Sequence, residues 1–435
     1  MTVSTATEQQ LTDQEAELSR AYEDILAKSL SLDLTRGKPS SAQLDLSAGL
    51  ETALAGDYAL ADGTDSRNYG GLLGIPEARA FGAEILGLSP EEVMVGGNSS
   101  LLLMYQYLDF AHRDGAAGPG SSWQDEARAA NERVKFLCPV PGYDRHFTIC
   151  EQLGIEMIPV PLGAEGPDMD FVEAQVAGDP LIKGIWCVPR NSNPTGHTYS
   201  DKVVTRMAEL PARAGANFRI FWDDAYAVHP LVEKPRPLLS LMGEARRLGN
   251  EAGVVITSST SKITWAGAGI SFLATATENL RAFEKHLSAA MIGPDKVNQL
   301  RHVRFFRNLD GLSAHMEKHR QILLPKFELA QSLLERTLAG KGMMEWSQPE
   351  GGYFISCEVL PGLASKVVEL AGKAGVKLTP AGATFPYRRD PEDSNIRLAP
   401  TFPPIAELEE ALAVFVTCVQ LASVRDQLSR RFGRS

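Results

Sequence analysis

Between residues 93 and 274 the chain keeps a rhythm that few folds accommodate. Short β-forming runs (Val93–Val95, Val134–Cys138, Glu156–Val160, Gly184–Val188, Phe218–Trp222, Val254–Thr257 and Ile270–Ala274) alternate with segments long enough to be helices. Strands spaced by a helix's length need crossover connections, and crossovers build a mainly parallel sheet covered on both faces. A seven-stranded sheet in an α/β layer is the expectation. Ligands of such sheets gather at the C-terminal ends of the strands. The polar and glycine-rich clusters stand there: Gly96-Gly97-Asn98-Ser99, Pro141-Gly142-Tyr143, Asn193-Pro194-Thr195-Gly196, Asp223-Asp224-Ala225-Tyr226 and Ser259-Thr260-Ser261-Lys262.

The rest of the chain divides around this layer. Residues 1–30 are polar and acidic with Leu18, Tyr22, Ile25 and Leu26 at helical spacing, which predicts an arm with one amphipathic helix; arms of this type often pack on a partner subunit. A helical pattern around 311–339 leads into strand-like Tyr353–Cys357 and Ile396–Leu398 and an amphipathic helix over Ile405–Leu421. The expected organisation is an arm with part of a small domain over 1–45, a large α/β domain over 46–304, and a smaller α+β domain over 305–435. A chain of 435 residues suits two domains.

Composition excludes several partners. The net charge of −11 and the shortness of basic clusters such as Arg430-Arg431 argue against nucleic acid. No apolar run is long enough to cross a bilayer, and MTVSTATEQQ lacks the regions of a signal peptide. Five scattered cysteines without CxxC spacing fit neither a disulfide framework nor a zinc site, so a cytoplasmic protein without a metal is expected.

Taken singly, each cluster also suits a plain structural role. Lys262 after a strand reads as a surface lysine, Gly97-Asn98-Ser99-Ser100 before the apolar run Leu101–Leu103 as an ordinary helix cap, and His146 as a satisfied core histidine. The Gly97 segment equally suits a phosphate, because amides and hydroxyls meet at a helix N-terminus. Their order changes the reading. Tyr69-Gly70-Gly71-Leu72-Leu73-Gly74 with Arg79, then Gly97–Ser100, Pro141-Gly142-Tyr143, Asn193-Pro194-Thr195-Gly196 thirty residues before Asp223-Asp224-Ala225-Tyr226, Lys262, and Asn395-Ile396-Arg397-Leu398 follow one another along the chain. Together they resemble the fold-type I pyridoxal-phosphate (PLP) transferases, in a divergent bacterial aspartate aminotransferase branch sometimes labelled MocR-like. A MocR regulator carries an N-terminal winged-helix domain, and only about forty residues precede the pattern here.

The resemblance implies pyridoxal 5'-phosphate as cofactor, with Lys262 forming its imine and serving as proton carrier. Asp223 would keep the ring nitrogen protonated, with His146 bonded to that aspartate; Asn193 and Tyr226 would bond the phenolic oxygen, and Tyr143 would stack on the ring. Gly97, Asn98, Ser99, Ser259 and Ser261 would hold the phosphate, reached also by Tyr69 from the neighbouring subunit of a homodimer. Arg397 would clamp the substrate carboxylate, with Asn193 beside it and Gly37 in the segment that closes over substrate. The family's phosphate-pairing arginine after the lysine is missing: Gly269 stands where it would align, so the phosphate's charge must be balanced otherwise.

The activity implied is transamination of amino acids and keto acids, foremost aspartate with 2-oxoglutarate. Arg36, Lys38, Lys296 and Arg301 are the candidate cations for an acidic substrate side chain. A broad or aromatic transaminase and a β-lyase would share these motifs, and a non-catalytic PLP-binding effector module is the alternative of another class.

Overall fold

Strand burial shows how the sheet is covered. In the computed structural model, which describes residues 2–118 and 120–434, the strands Ile182–Cys187, Arg219–Asp223 and Val254–Ser259 are buried at every position, as a sheet sandwiched between helices requires. Alternate residues enter different cores. Ile220, Trp222, Val254 and Ile256 belong to one, while Phe221, Val255, Trp186 and Phe136 belong to the other, the two-residue period of an extended strand.

The sheet has eight strands rather than seven. Their spatial order is Val93–Gly96, Ser271–Thr275, Val254–Ser259, Arg219–Asp223, Ile182–Cys187, Lys135–Val140, Glu156–Gly163 and Gly166–Pro167. The five from Val254–Ser259 to Glu156–Gly163 run parallel, Ser271–Thr275 runs against both its neighbours, and the added Gly166–Pro167 lies antiparallel at the edge. Two residues are too few to show alternation in sequence, which is why this strand was not expected.

By internal contacts the described chain forms two compact units. The larger comprises Ser41–Ser192 and His197–Arg320; the smaller comprises the residues up to Ser40, Asn193–Gly196, and those from Gln321 onward. The smaller unit holds an antiparallel sheet of Met344–Trp346, Ile355–Val359 and Asn395–Leu398, and a two-residue parallel pair of Leu32–Asp33 with Val376–Lys377.

Its N-terminal helix, Glu8–Ala27, opens with a capping box between Thr7 and Gln10. The helix packs on Ile405–Phe432 of its own chain. Tyr22 donates to Leu370 O at 2.8 Å, and Arg425 Nε bonds Glu15 at 2.9 Å. The apolar stripe is buried at Leu11 and Tyr22, while Leu26 is exposed. The last helix continues past Leu421 because Leu428 is still buried, and it stops at Gly433 in the left-handed conformation. Among the described residues no helix is long and apolar enough to cross a membrane.

Candidate active site

Sheet register brings the first polar group to its place. Asp223 ends its strand opposite Thr257 of the next, so the two side chains share a face and Thr257 Oγ1 donates to Asp223 Oδ1 at 3.3 Å. The other oxygen, Oδ2, meets His146 Nε2 at 3.2 Å. His146 comes from the helix Asp144–Leu153 and lies flat on the Trp186 indole, 4.3 Å between centroids and 7° between planes. Carboxylate and imidazole are both buried. Tyr143 immediately precedes the same helix, its ring edge-on to His146 at 5.0 Å.

Lys262 follows the strand Val254–Ser259 within a turn in which Thr260 O accepts from the amides of Ile263 and Thr264. Its Nζ stands 5.3 Å from the centre of the buried Tyr226 ring. Burial pushes the Lys262 pKa down, and the negative charge of Asp223 opposes this. The balance favours a neutral amine more than an exposed lysine would. Asp224, next in sequence, is a buried carboxyl pushed up by burial, with Arg190 at 3.3 Å drawing it back.

A cradle of small groups adjoins this turn. Ser261 Oγ donates to Asn98 O at 2.6 Å, Ser259 Oγ lies 3.0 Å from Ser261 Oγ, and Asn98 Nδ2 donates to Ala266 O at 3.2 Å. Asn98 precedes the helix Ser100–Arg113, and Ser99 at its N-cap makes no capping side-chain bond. The first amides of the helix thus have no side-chain cap. Gly97 is exposed, and a Cβ there would meet nothing within 4 Å. Uncapped amides and convergent hydroxyls fit a phosphate, and Asp223 fits a protonated ring nitrogen, so this donor set suits PLP.

Gly269 has a local reason. A Cβ there would stand 2.8 Å from Thr260 Oγ1, which accepts from Ile270 N at 2.9 Å. Any side chain at 269 would disturb that bond. Tyr69 is 80 % exposed, in a segment whose Gly70 backbone packs against Gly293.

The remaining residues expected at the site lie in the smaller unit. Arg397 on the strand Asn395–Leu398 sits 4.9 Å above the Phe354 ring, and its Nη1 donates to Asn193 Oδ1 at 3.3 Å. Gly37 lies against the same ring: a Cβ there would come within 2.1 Å of Phe354 Cζ. Gly196, three residues after Asn193, packs on Pro349 with no room for a side chain. Among the candidate cations, Arg36 pairs with Asp33 at 2.6 Å, Lys38 lies 4.7 Å from the Phe402 ring, Lys296 is buried, and Arg301 bonds Asn298 at 2.6 Å while lying over Trp265.

Sequence reasoning overlooked Thr257, Trp186, Phe354 and the Arg190–Asp224 pair. Only Thr257, two residues before the Ser259 cluster, carried any local signal. Among the described residues no group of three or more His, Cys, Asp or Glu is placed to hold a metal ion.

A mainly parallel sheet with a half-buried lysine and a braced aspartate at its strand ends is the architecture of the fold-type I PLP-dependent transferases. The α-aminoadipate aminotransferase of Thermus thermophilus, complexed with N-(5'-phosphopyridoxyl)-L-leucine, has this fold at a TM-score of 0.73 and 21% identity, covering 92% of this chain and 95% of its own. The chain belongs to the aspartate amino-transferase family, which it matches over residues 6–431. It is 46% identical over 409 residues to an aspartate aminotransferase of Corynebacterium glutamicum, covering 94% of this chain and 93% of that protein. The crystal structure of an aspartate transaminase from the same organism superposes with a TM-score of 0.94 at 44% identity, covering 98% of this chain and 99% of the other.

Proposed function

We propose that this aminotransferase binds PLP through Lys262 and transfers the amino group of aspartate to 2-oxoglutarate, giving oxaloacetate and glutamate. The observation that carries the reading is Lys262 itself: a half-buried lysine whose amine has a lowered pKa, under the influence of an aspartate braced by His146 and Thr257. The name of the 46% identical relative supports the choice of aspartate.

Bound PLP would supply an electron sink for the carbanion left when a proton leaves the substrate's α-carbon. Asp223 would hold the proton on the ring nitrogen by ion pairing. Tyr226 and Asn193 would donate to the phenolic oxygen, while Tyr143 would cover the ring. The amides after Asn98, with Ser99, Ser259 and Ser261, would hold the phosphate without the arginine that Gly269 replaces.

Arg397 would grip the substrate α-carboxylate with two parallel N–H groups, a geometry that lysine lacks. Lys262 Nζ, once free, would take the α-proton and return it elsewhere; a neutral amine is the form that a base requires. Gly37 would let the chain pass close to Phe354 and so close over the substrate. The exposed Tyr69 supports a homodimer in which it serves the neighbouring site, and the five buried free thiols support a cytoplasmic enzyme.

The test is a half-reaction on the PLP-loaded protein against a panel of amino acids. L-aspartate should convert the cofactor to its pyridoxamine form, 2-oxoglutarate should restore it, and aromatic amino acids should react more slowly. A spectrum that no amino acid changes would make the protein a PLP-binding module instead. Borohydride trapping should place the pyridoxyl label on Lys262, and Lys262→Ala should lower turnover by about 10²–10⁴-fold or more.

A further inference from the structure

Half of the chain's eight histidines surround one turn. His229, His302, His315 and His319 are all at most 5 % exposed, and none has a role in the chemistry described above. They come from three places: the segment after Tyr226, the helix Lys296–Phe306, and the helix Leu309–Leu338. Between them they meet three consecutive residues, Lys262, Ile263 and Thr264.

The acceptors fix the protons. Lys262 O lies 3.4 Å from His229 Nε2, and Ile263 O lies 2.8 Å from His315 Nε2; a carbonyl oxygen only accepts, so both nitrogens carry hydrogen. His319 Nε2 lies 3.1 Å from His315 Nε2, and because that nitrogen carries the hydrogen, His319 accepts and braces the His315 ring. His319 Nδ1 stands 3.1 Å from the Gln43 side-chain amide. His302 is the reverse of His315. Its Nδ1 donates to Asn298 O at 2.8 Å, so its Nε2, at 3.0 Å, accepts from the Thr264 hydroxyl.

The two accepting rings, His302 and His319, must be neutral, and burial provides this: both are pushed down to about 4, and His229 to about 3. The turn needs such partners. It follows a strand and is not continued as a helix, so its carbonyls lack a ladder of their own. An imidazole has only two rotatable bonds and so holds a carbonyl at a smaller entropic cost than a longer side chain.

We propose that His229, His302, His315 and His319 are positioning residues, a collar in which three imidazoles bond the turn Lys262–Thr264 and His319 braces His315, and which fixes the backbone there and through it the place of Lys262 Nζ. This rests on the reading of Lys262 as the cofactor lysine. Displacements of about 0.5 Å at such a group are enough to matter.

The experiment compares full-length PLP-loaded protein with His315→Leu, His315→Gln, His319→Leu and His319→Gln. Glutamine brings an amide N–H near the position of the imidazole Nε2 and is the conservative replacement. Three quantities are measured: the affinity of the apoprotein for PLP, the pH at which the visible absorption of the loaded protein changes, and the melting temperature. The leucine variants should bind PLP about tenfold more weakly, the loss expected for a hydrogen bond, and should move the pH of the absorption change. The glutamine variants should recover both.

PLP affinity and an absorption pH that stay at wild-type values in all four, whatever happens to the melting temperature, overturn the proposal and leave the histidines as packing. Should the leucine variants not fold, Thr264→Val removes the hydroxyl that His302 shares with Thr260 while keeping the side chain's shape: the absorption pH moves, or the proposal fails. A borohydride label on a residue other than Lys262 in the wild-type protein defeats the underlying reading. A label on Lys262 with unaltered variants defeats only the collar.

Discussion

Gly37 meets a steric condition that no other residue type can. Alanine there must push the Phe354 ring away from a 2.1 Å contact, and Arg397, stacked on the other part of that contact network at 4.9 Å, must move with it. Gly37→Ala should therefore raise KM for amino-acid substrates by about tenfold, as the loss of a positioned carboxylate contact would. Steady-state kinetics with the melting temperature followed in parallel checks this; a stability loss with unchanged KM would remove Gly37 from the site. Gly269 is constrained differently, by Thr260 Oγ1 at 2.8 Å from its missing Cβ. Gly269→Ala should destabilise the protein by about 1–3 kcal/mol in urea unfolding, the usual cost of overpacking. Both glycines are visible in sequence, but the atoms that exclude a side chain come from Phe354, 317 positions away in one case, and from the turn before Ile270 in the other.

At the scale of elements, the strand Ile182–Cys187 is tied to the helix Trp123–Ala130 by one lysine. Lys183 is wholly buried, pairs with Glu126, and donates to Ala216 O at 2.9 Å. Lys183→Ala would leave both acceptors and a cavity, and should cost about 3–5 kcal/mol in denaturant unfolding. A loss under 1 kcal/mol would mean that water replaces the amine at no cost. The strand was legible from the apolar run Gly184–Val188, whereas Lys183 lay outside that run. Its burial depends on a helix more than fifty positions earlier, outside any local window. The same holds for the N-terminal helix, whose existence follows from its spacing but whose docking on Ile405–Phe432 depends on shape and charge distant in the chain.

For the molecule as a whole, the buried histidines set a pH dependence of stability. His302 and His319 titrate at about 4 in the folded protein, below the 6.5 of a free imidazole. Below pH 6.5 the unfolded chain binds protons at these sites that the folded chain does not, so stability falls as pH falls, levelling off below about 4. Above 6.5 both states are neutral there and this contribution is fully present. The melting temperature should thus drop between pH 6.5 and 4, and replacing both histidines by glutamine should flatten the slope in that window. An unchanged slope would assign the acid sensitivity to other groups.

The alternation of strands and helices, the ends at which polar clusters collect and the order of the motifs are local patterns, and the sequence by itself determined them. Lys262, Asp223 and Arg397 could be singled out because each stands in a short, characteristic neighbourhood. What surrounds them was decided only by the tertiary structure. The bond between His146 and Asp223 joins residues 77 apart, that between Arg397 and Asn193 joins residues 204 apart, and the four imidazoles around the Lys262 turn come from three separate segments. Periodicity reports which face of an element is apolar, but hydrogen bonds and steric exclusion depend on which faces meet, and that is settled when the whole chain packs.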